Sequence, residues 1–172
     1  MRVGWMLLGA LASAAVTAAA GEARWGTRPY EQERPRYESM VEALEAQVEH
    51  LEQRHARIEE QRWRYWSDWS REEREAAREW FKSSSYFEPE ARTALESARR
   101  DYEHAWHRWS TQRILTLSID LKTETPVARA ARRFLWRYNL ERLRARIRYL
   151  DAKLAYERLE LRAIRQYAPP AS

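Results

Sequence analysis

The stretch WRYNLERLRARIRYLDAKLAYERLELRAI, residues 136–164, decides the fold of this chain. Its seam positions are separated alternately by four and three residues, which is the a/d spacing of a coiled coil. They are Trp136, Leu140, Leu143, Ile147, Leu150, Leu154, Glu157, Leu161 and Ile164. Thr125 can cap the start of a helix, and Pro126 is the residue type favoured at the first helical position. Pro169 follows the pattern at its other end. The sequence therefore predicts a helix over residues 126–167, about 60 Å long at 1.5 Å per residue.

A second seam of the same spacing lies nearer the beginning of the chain. Its members are Tyr37, Val41, Leu44, Val48, Leu51, His55 and Ile58. Tryptophans then broaden the apolar face, and the pattern predicts a first helix over residues 37–82. Three serines at 83–85 interrupt it, and Pro89 suits the first turn of another helix, predicted over residues 89–113. Together the three helices predict an all-α fold, either an extended helical hairpin or a three-helix antiparallel bundle with coiled-coil seams.

The segment Ile114–Thr125 does not continue this periodicity. Leu115, Leu117, Ile119 and Leu121 alternate with polar residues, which is the spacing of a β-strand. Because no second strand is evident, we favour a continuing helix or an extended connector. A strand paired with another subunit is the remaining alternative.

The scarcity of glycine and cysteine excludes several function classes. No glycine follows Gly26, whereas phosphate-binding loops, dinucleotide-binding turns and nucleophile elbows all need glycine at fixed positions. The chain has no cysteine, which removes disulfides, thiol nucleophiles and lipoprotein processing. No catalytic residue and no cofactor site is predicted, and the chain is expected not to be an enzyme.

The first twenty residues have the layout of a secretory signal peptide. Arg2 precedes an apolar, alanine-rich run, and Ala18 to Ala20 form a small-residue cleavage site before Gly21. We expect cleavage near Ala20/Gly21 and a periplasmic or secreted protein. A retained inner-membrane anchor is the alternative, since the run is about 18 residues long. Residues 21–36 are predicted to be a flexible polar linker before a helical coiled-coil domain over residues 37–168.

Folding the three helices as successive antiparallel hairpins brings the tryptophans together. An aromatic layer is predicted from Trp63, Trp66, Trp69, Trp106 and Trp109. The same layout leaves a seam overhanging at each end, and exposed apolar seams seek a partner. We therefore predict self-association or binding of another helical protein through one interaction face, comprising Val41, Leu44, Val48, Leu51, Leu150, Leu154, Leu161 and Ile164.

The charge distribution suggests a further partner. Residues 37–53 hold five acids and no base, whereas residues 127–172 hold twelve bases and four acids, a net charge of +8. Export argues against nucleic acid as a partner of this basic third helix. We favour a solvated helix face as the explanation of this charge, and an anionic envelope surface is an alternative partner.

Metal binding has weak support in the sequence. Glu52 and His55 have the Glu-x-x-His spacing of di-iron helical bundles, and His104 with His107 could form a metal pair. The two sets lie about 20 Å apart in the hairpin layout, so no metal ligand is predicted. The leading function is a non-enzymatic exported scaffold, adaptor or chaperone-like assembly protein. The alternatives are an inner-membrane-anchored coiled-coil envelope component and a helical-bundle metalloprotein.

Overall fold

The computed structural model describes residues 25–167, which form four α-helices. Helix α1 spans Tyr30–Trp66, α2 spans Arg71–Ser83, α3 spans Pro89–Leu115 and α4 spans Pro126–Gln166. No strand occurs within these residues, and the predicted all-α fold is confirmed. The predicted signal peptide, residues 1–20, lies outside the described part of the chain.

Helix α4 is the centre of the fold, with α1 packed along one side and α3 along another. The chain positions that meet show the helix directions. Asn139 donates to the hydroxyl of Tyr37 at 2.7 Å, and further along both helices His55 lies 2.6 Å from Glu157. Because both residue numbers rise together, α1 is parallel to α4. Helix α3 is antiparallel to α4, since Tyr102 stacks on Tyr149 and Arg142 lies over Trp109.

This pairing differs from the predicted hairpin of the first two long helices. The physical reason is the poor apolar face of α3, in which Ala105 is the single buried residue. The leucines of α4 cover the α1 seam better than the face of α3 could. Val48, Leu51 and Ile58 form one core cluster with Leu150, Leu154 and Leu161 of α4. The two seams predicted to overhang at opposite ends therefore bury each other.

The predicted first helix is broken at residues 67–70. Ser70 and Glu73 form a capping box at the start of α2, in which the Ser70 hydroxyl accepts from the Glu73 amide. The Glu73 carboxylate accepts in return from the Ser70 amide at 2.6 Å. Because a capping box satisfies two helix-initial amides at once, it fixes a helix start at this position.

The part of the predicted linker that the structure describes is ordered. Residues 25–28, here called the N-terminal strap, precede α1, and Trp25 is buried edge-on against Tyr37 and Trp136. The buried carboxylate of Glu33 accepts from the amides of residues 26, 27 and 28 at 2.9–3.1 Å. This strap closes a second core cluster around Trp136 and Leu140.

The segment 116–125 is a connector between α3 and α4 built of turns. The predicted continuing helix is wrong, and the connector is present but not extended. The fully buried guanidinium of Arg132 fixes it by donating to the carbonyls of Leu121 and Thr123 at 2.8 and 3.1 Å. It also contacts the carboxylate of Glu124, which accepts from the Tyr30 amide at 2.8 Å. One buried arginine thus joins the connector to the beginning of α1.

Within residues 25–167, none of the helices is long and apolar enough to cross a membrane.

The N-terminal strap depends on Gly26. Its φ of +77° lies in the left-handed region, and a Cβ there would collide with the carbonyl oxygen of Arg129. We expect Gly26→Ala to cost about 1–3 kcal/mol and to release the strap from α4. The measurement is the rate of chymotryptic cleavage after Trp25, which is buried in the natural chain and should become accessible, so the rate should rise. Gln32→Ala, an exposed change on α1, should leave that rate unchanged. Equal cleavage of the two variants would contradict the role assigned to Gly26.

Candidate functional site

The predicted interaction face is mostly buried within the chain. Val48, Leu51, Leu150, Leu154, Leu161 and Ile164 are buried, and Val41 and Leu44 are half-buried against the cluster around Trp136. The unpaired overhangs on which predicted self-association rested do not occur in residues 25–167. Most of these side chains therefore pack against one another instead of facing solvent.

The five tryptophans of the predicted aromatic layer lie at two levels of the fold. Trp69 contacts Tyr167 at the end of α4, whereas Trp109 contacts Arg142. These two levels are about 37 Å apart along α4. Trp66 is buried, with the guanidinium carbons of Arg62 and Arg78 at 5.2 and 5.0 Å from its ring centroid. Trp63 and Trp106 are exposed. The structure does not bring the five together.

A polar network interrupts the apolar seam between α1 and α4. The Nζ atom of Lys153 lies 2.8 Å from Nε2 of His55, and an ammonium can only donate. Nε2 is therefore the acceptor, and Nδ1 of His55 carries the proton that it donates to Oε2 of the buried Glu157 at 2.6 Å. One turn further, Arg62 contacts both Glu59 and Glu160.

Burial raises the pKa of the Glu157 carboxyl, against the lowering effects of His55, Lys153 and Arg62. Partial burial acts to raise the pKa of Glu59, but its interactions with Arg62, His55 and Lys153 outweigh that effect and the pKa is lowered. A polar pair at a seam position specifies how two helices align, since any shift would leave a buried carboxylate facing leucines. The network accordingly fixes the register of α1 on α4.

The same residues form the one group of three described metal donors, His55, Glu59 and Glu157, whose ligand atoms lie within 4.8 Å of one another. They fit a metal ion poorly, because the Nζ atom of Lys153 already contacts Nε2 of His55 and the guanidinium of Arg62 already contacts the carboxylate of Glu59. Glu52, the other half of the Glu-x-x-His pattern, pairs with Arg146 instead.

The other pair of histidines considered for metal binding is exposed. His104 and His107 line a groove between α3 and α4 together with Arg108, Arg144 and Arg148. A divalent cation bound there would be repelled by the arginines, although Asp101 and Glu141 also line the groove. The grouping is unfavourable for a metal.

A one-sided concentration of positive charge lies between α1 and α4. A groove of about 360 Å³ between these helices has five arginines among its lining residues and no acid; we call it the arginine groove. It is lined by Arg54, Arg57, Ile58, Gln61, Arg158, Leu161, Arg162 and Arg165. Buried Ile58 and Leu161 provide an apolar floor, and the guanidinium groups form the rims.

Few contacts within the protein occupy these guanidinium groups. Arg165 donates to Gln61 at 2.9 Å and lies over the ring of Tyr65. Asp151 lies close enough to interact with Arg54 and Arg158, and burial raises the pKa of its carboxyl. Arginine presents a planar, permanently charged set of donors that suits carboxylates and phosphates. The groove can therefore bind an elongated anionic partner.

Sequence reasoning identified the charge of the third helix but not this groove. Two of its arginines belong to α1 and three to α4, about a hundred positions away. The groove can therefore be recognised only when the register of the two helices is known. Compared with protein families, with curated proteins and with solved structures, the chain shows no match.

The raised pKa of Glu157 has a consequence for stability. As the pH rises above its ordinary value of 4.5, the unfolded chain releases this proton before the folded chain does, so the free energy of unfolding falls. Glu157→Gln removes the titrating group. We expect the variant to gain stability relative to the natural chain between pH 4.5 and the raised pKa, measured by urea unfolding across that interval.

Glu49→Gln provides the matched control, since it removes an equal charge from an exposed position of α1. The natural chain and Glu157→Gln should differ in the slope of stability against pH, whatever constant offset separates them. A difference in unfolding free energy that stays constant over this interval would contradict the assignment.

Proposed function

We propose that the protein is an exported, non-enzymatic helical scaffold or adaptor that holds an acidic helical partner in the arginine groove. The observation that carries this proposal is the set of five guanidinium groups lining one groove without a carboxylate among them. Asp151 interacts with two of these arginines, Arg54 and Arg158, which leaves an excess of positive charge in the groove. An excess of charge of one sign attracts and orients a partner of the opposite sign.

The form of the groove favours a helix over other anionic partners. Its arginines are three residues apart on α1, at positions 54 and 57, and four and three residues apart on α4, at positions 158, 162 and 165. Residues three or four apart lie on one face of a helix. A third helix laid along the groove would meet a guanidinium at almost every turn and could pack an apolar residue on Ile58 and Leu161.

A scaffold role agrees with the chemistry of the lining. Arginine, glutamine, isoleucine and leucine make up the groove, and none of these side chains serves as a nucleophile or general base near neutral pH. The partner would be bound rather than transformed.

A second copy of the chain is one source of a suitable helix. Residues 37–53 hold five acids and no base, and Glu42, Glu45 and Glu49 are exposed on α1. Self-association through this contact would bury charge against charge, unlike the apolar overhangs expected from sequence.

Export is the part of the proposal that rests on the sequence of residues 1–20. We expect mass spectrometry of the protein from its native host to find a chain that begins at Gly21. A chain that retains Met1–Ala20 in the membrane fraction would instead favour the anchored envelope component, with the arginine groove unchanged.

Charge reversal tests the groove directly. We expect Arg57→Glu combined with Arg162→Glu to weaken binding of an acidic helical peptide by roughly tenfold or more, because two attractions become repulsions. A peptide with the sequence of residues 37–53 is a suitable probe, and titration calorimetry at low and at moderate salt gives the affinity. Crosslinking in the native envelope identifies the physiological partner.

The matched control is Arg100→Glu combined with Arg148→Glu, which changes the net charge equally at exposed positions outside the groove. A probe peptide with lysine in place of its glutamates should bind the groove variant better than the natural chain. Equal loss of binding in both charge-reversed proteins would show that only net charge matters and would reject the groove.

A further inference from the structure

Four large apolar side chains are exposed together at one end of the protein. Ile114, Leu115, Leu117 and Val127 are 67%, 66%, 75% and 64% exposed. They occupy the end of α3, the connector and the first turn of α4; we call this set the apolar end. Half of the eight large hydrophobic side chains that are exposed in residues 25–167 thus fall within fourteen consecutive positions.

The apolar end belongs to an ordered segment. Arg132 holds the connector through two carbonyls, and Thr116 is buried with its hydroxyl bonded to the carbonyl of Gln112 at 2.9 Å. Ile119 and Leu121 are half-buried, whereas Leu115 and Leu117 are exposed, so the connector has an inward and an outward part. A fixed, outward apolar patch marks a contact surface.

Exposed cations lie in the same segment of the chain as the apolar end. Exposed Arg113, Lys122, Arg129 and Arg133 lie in the same segment, whose acids are Asp120 and Glu124. Glu124 is already paired with Arg132. Apolar side chains flanked by arginine and lysine are the combination that inserts into anionic lipid headgroups.

The chain reaches the described structure at this same end. Arg133 donates to the carbonyl of Trp25 at 2.9 Å, and Trp25 packs on Trp136 near the start of α4. The apolar run that ends at Ala20 is five residues before Trp25, a span of at most about 17 Å. If a bilayer holds this run, or has just released it, the bilayer surface lies next to the apolar end.

We propose that the apolar end inserts into the headgroup boundary of an anionic phospholipid bilayer and orients the protein on the membrane surface. Insertion would remove Leu117 and its neighbours from water, and the cations of the same segment would contact lipid phosphates. The arginine groove begins at Arg158, about 50 Å along α4 from Val127. This inference therefore does not depend on the groove.

The absence of cysteine makes a site-specific test possible. The full chain carrying Leu117→Cys is labelled with a fluorophore sensitive to polarity and mixed with vesicles of phosphatidylethanolamine and phosphatidylglycerol. We expect a blue shift, a rise in emission and quenching by lipids spin-labelled near the headgroup. Glu72→Cys, an exposed position of α2 at the opposite end, is the control and should show none of these changes.

Three outcomes would overturn the proposal. Unchanged emission on vesicles that bind the protein would place the attachment in residues 1–24 alone. An emission already blue-shifted without vesicles would show that another segment or a second copy covers the end. An equal shift on vesicles of phosphatidylcholine alone would remove the role of the cations.

A second variant separates the patch from the label. Leu117→Cys is combined with Ile114→Gln, Leu115→Gln and Val127→Gln, all exposed positions at which folding should be preserved, as circular dichroism can verify. The shift should be lost. A shift as large as that of the single variant would contradict insertion by the apolar end.

Discussion

The mutual burial of two heptad seams, one on α1 and one on α4, is the constraint on which the rest of the structure depends. Leu150, Leu154 and Leu161 meet Val48, Leu51 and Ile58 along a parallel pair of helices. Parallel neighbours cannot be joined by a short turn, so the chain between them must travel back along the molecule. Helices α2 and α3 provide that return, and α3 needs only a modest apolar face because it packs on a helix that is already supported.

The interruption of this seam by polar residues has a structural role of its own. A continuous leucine seam could slide by one heptad at little cost, whereas Glu157 has a suitable partner only where His55 faces it. The alignment that results also places Arg54 and Arg57 opposite Arg158 and Arg162. The arginine groove is therefore a product of the same register that the buried network selects.

Periodicity predicted the helices well and their pairing badly. Helix α4 begins at the Pro126 that the cap pattern indicated and ends within a residue of the prediction, because both limits are set by local chemistry. A heptad seam identifies the buried face of a helix but not the helix that buries it. The first two long helices were paired in the prediction because they are neighbours in sequence, yet burial favours the longer and more apolar seam of α4.

Other features differ in how far sequence could reveal them. The break before α2 was readable, since Ser70 and Glu73 have the spacing of a capping box. The N-terminal strap was not, because the role of Glu33 depends on three amides whose positions are fixed by Trp25 packing on α4. The arginine groove combines residues from two helices, and only their net charge was visible beforehand.

The parallel pairing also determines where the described chain begins and ends. The molecule is traversed lengthwise three times, by α1, by α2 with α3 and by α4, and an odd number of traverses leaves the two ends of the described chain at opposite ends of the fold. Trp25 lies beside the start of α4, whereas Tyr167 lies beside Trp69 and Trp80 at its finish. Trp25 is thus held about 50 Å from Tyr167 along the axis of α4. The protein has the geometry of a spacer of fixed length.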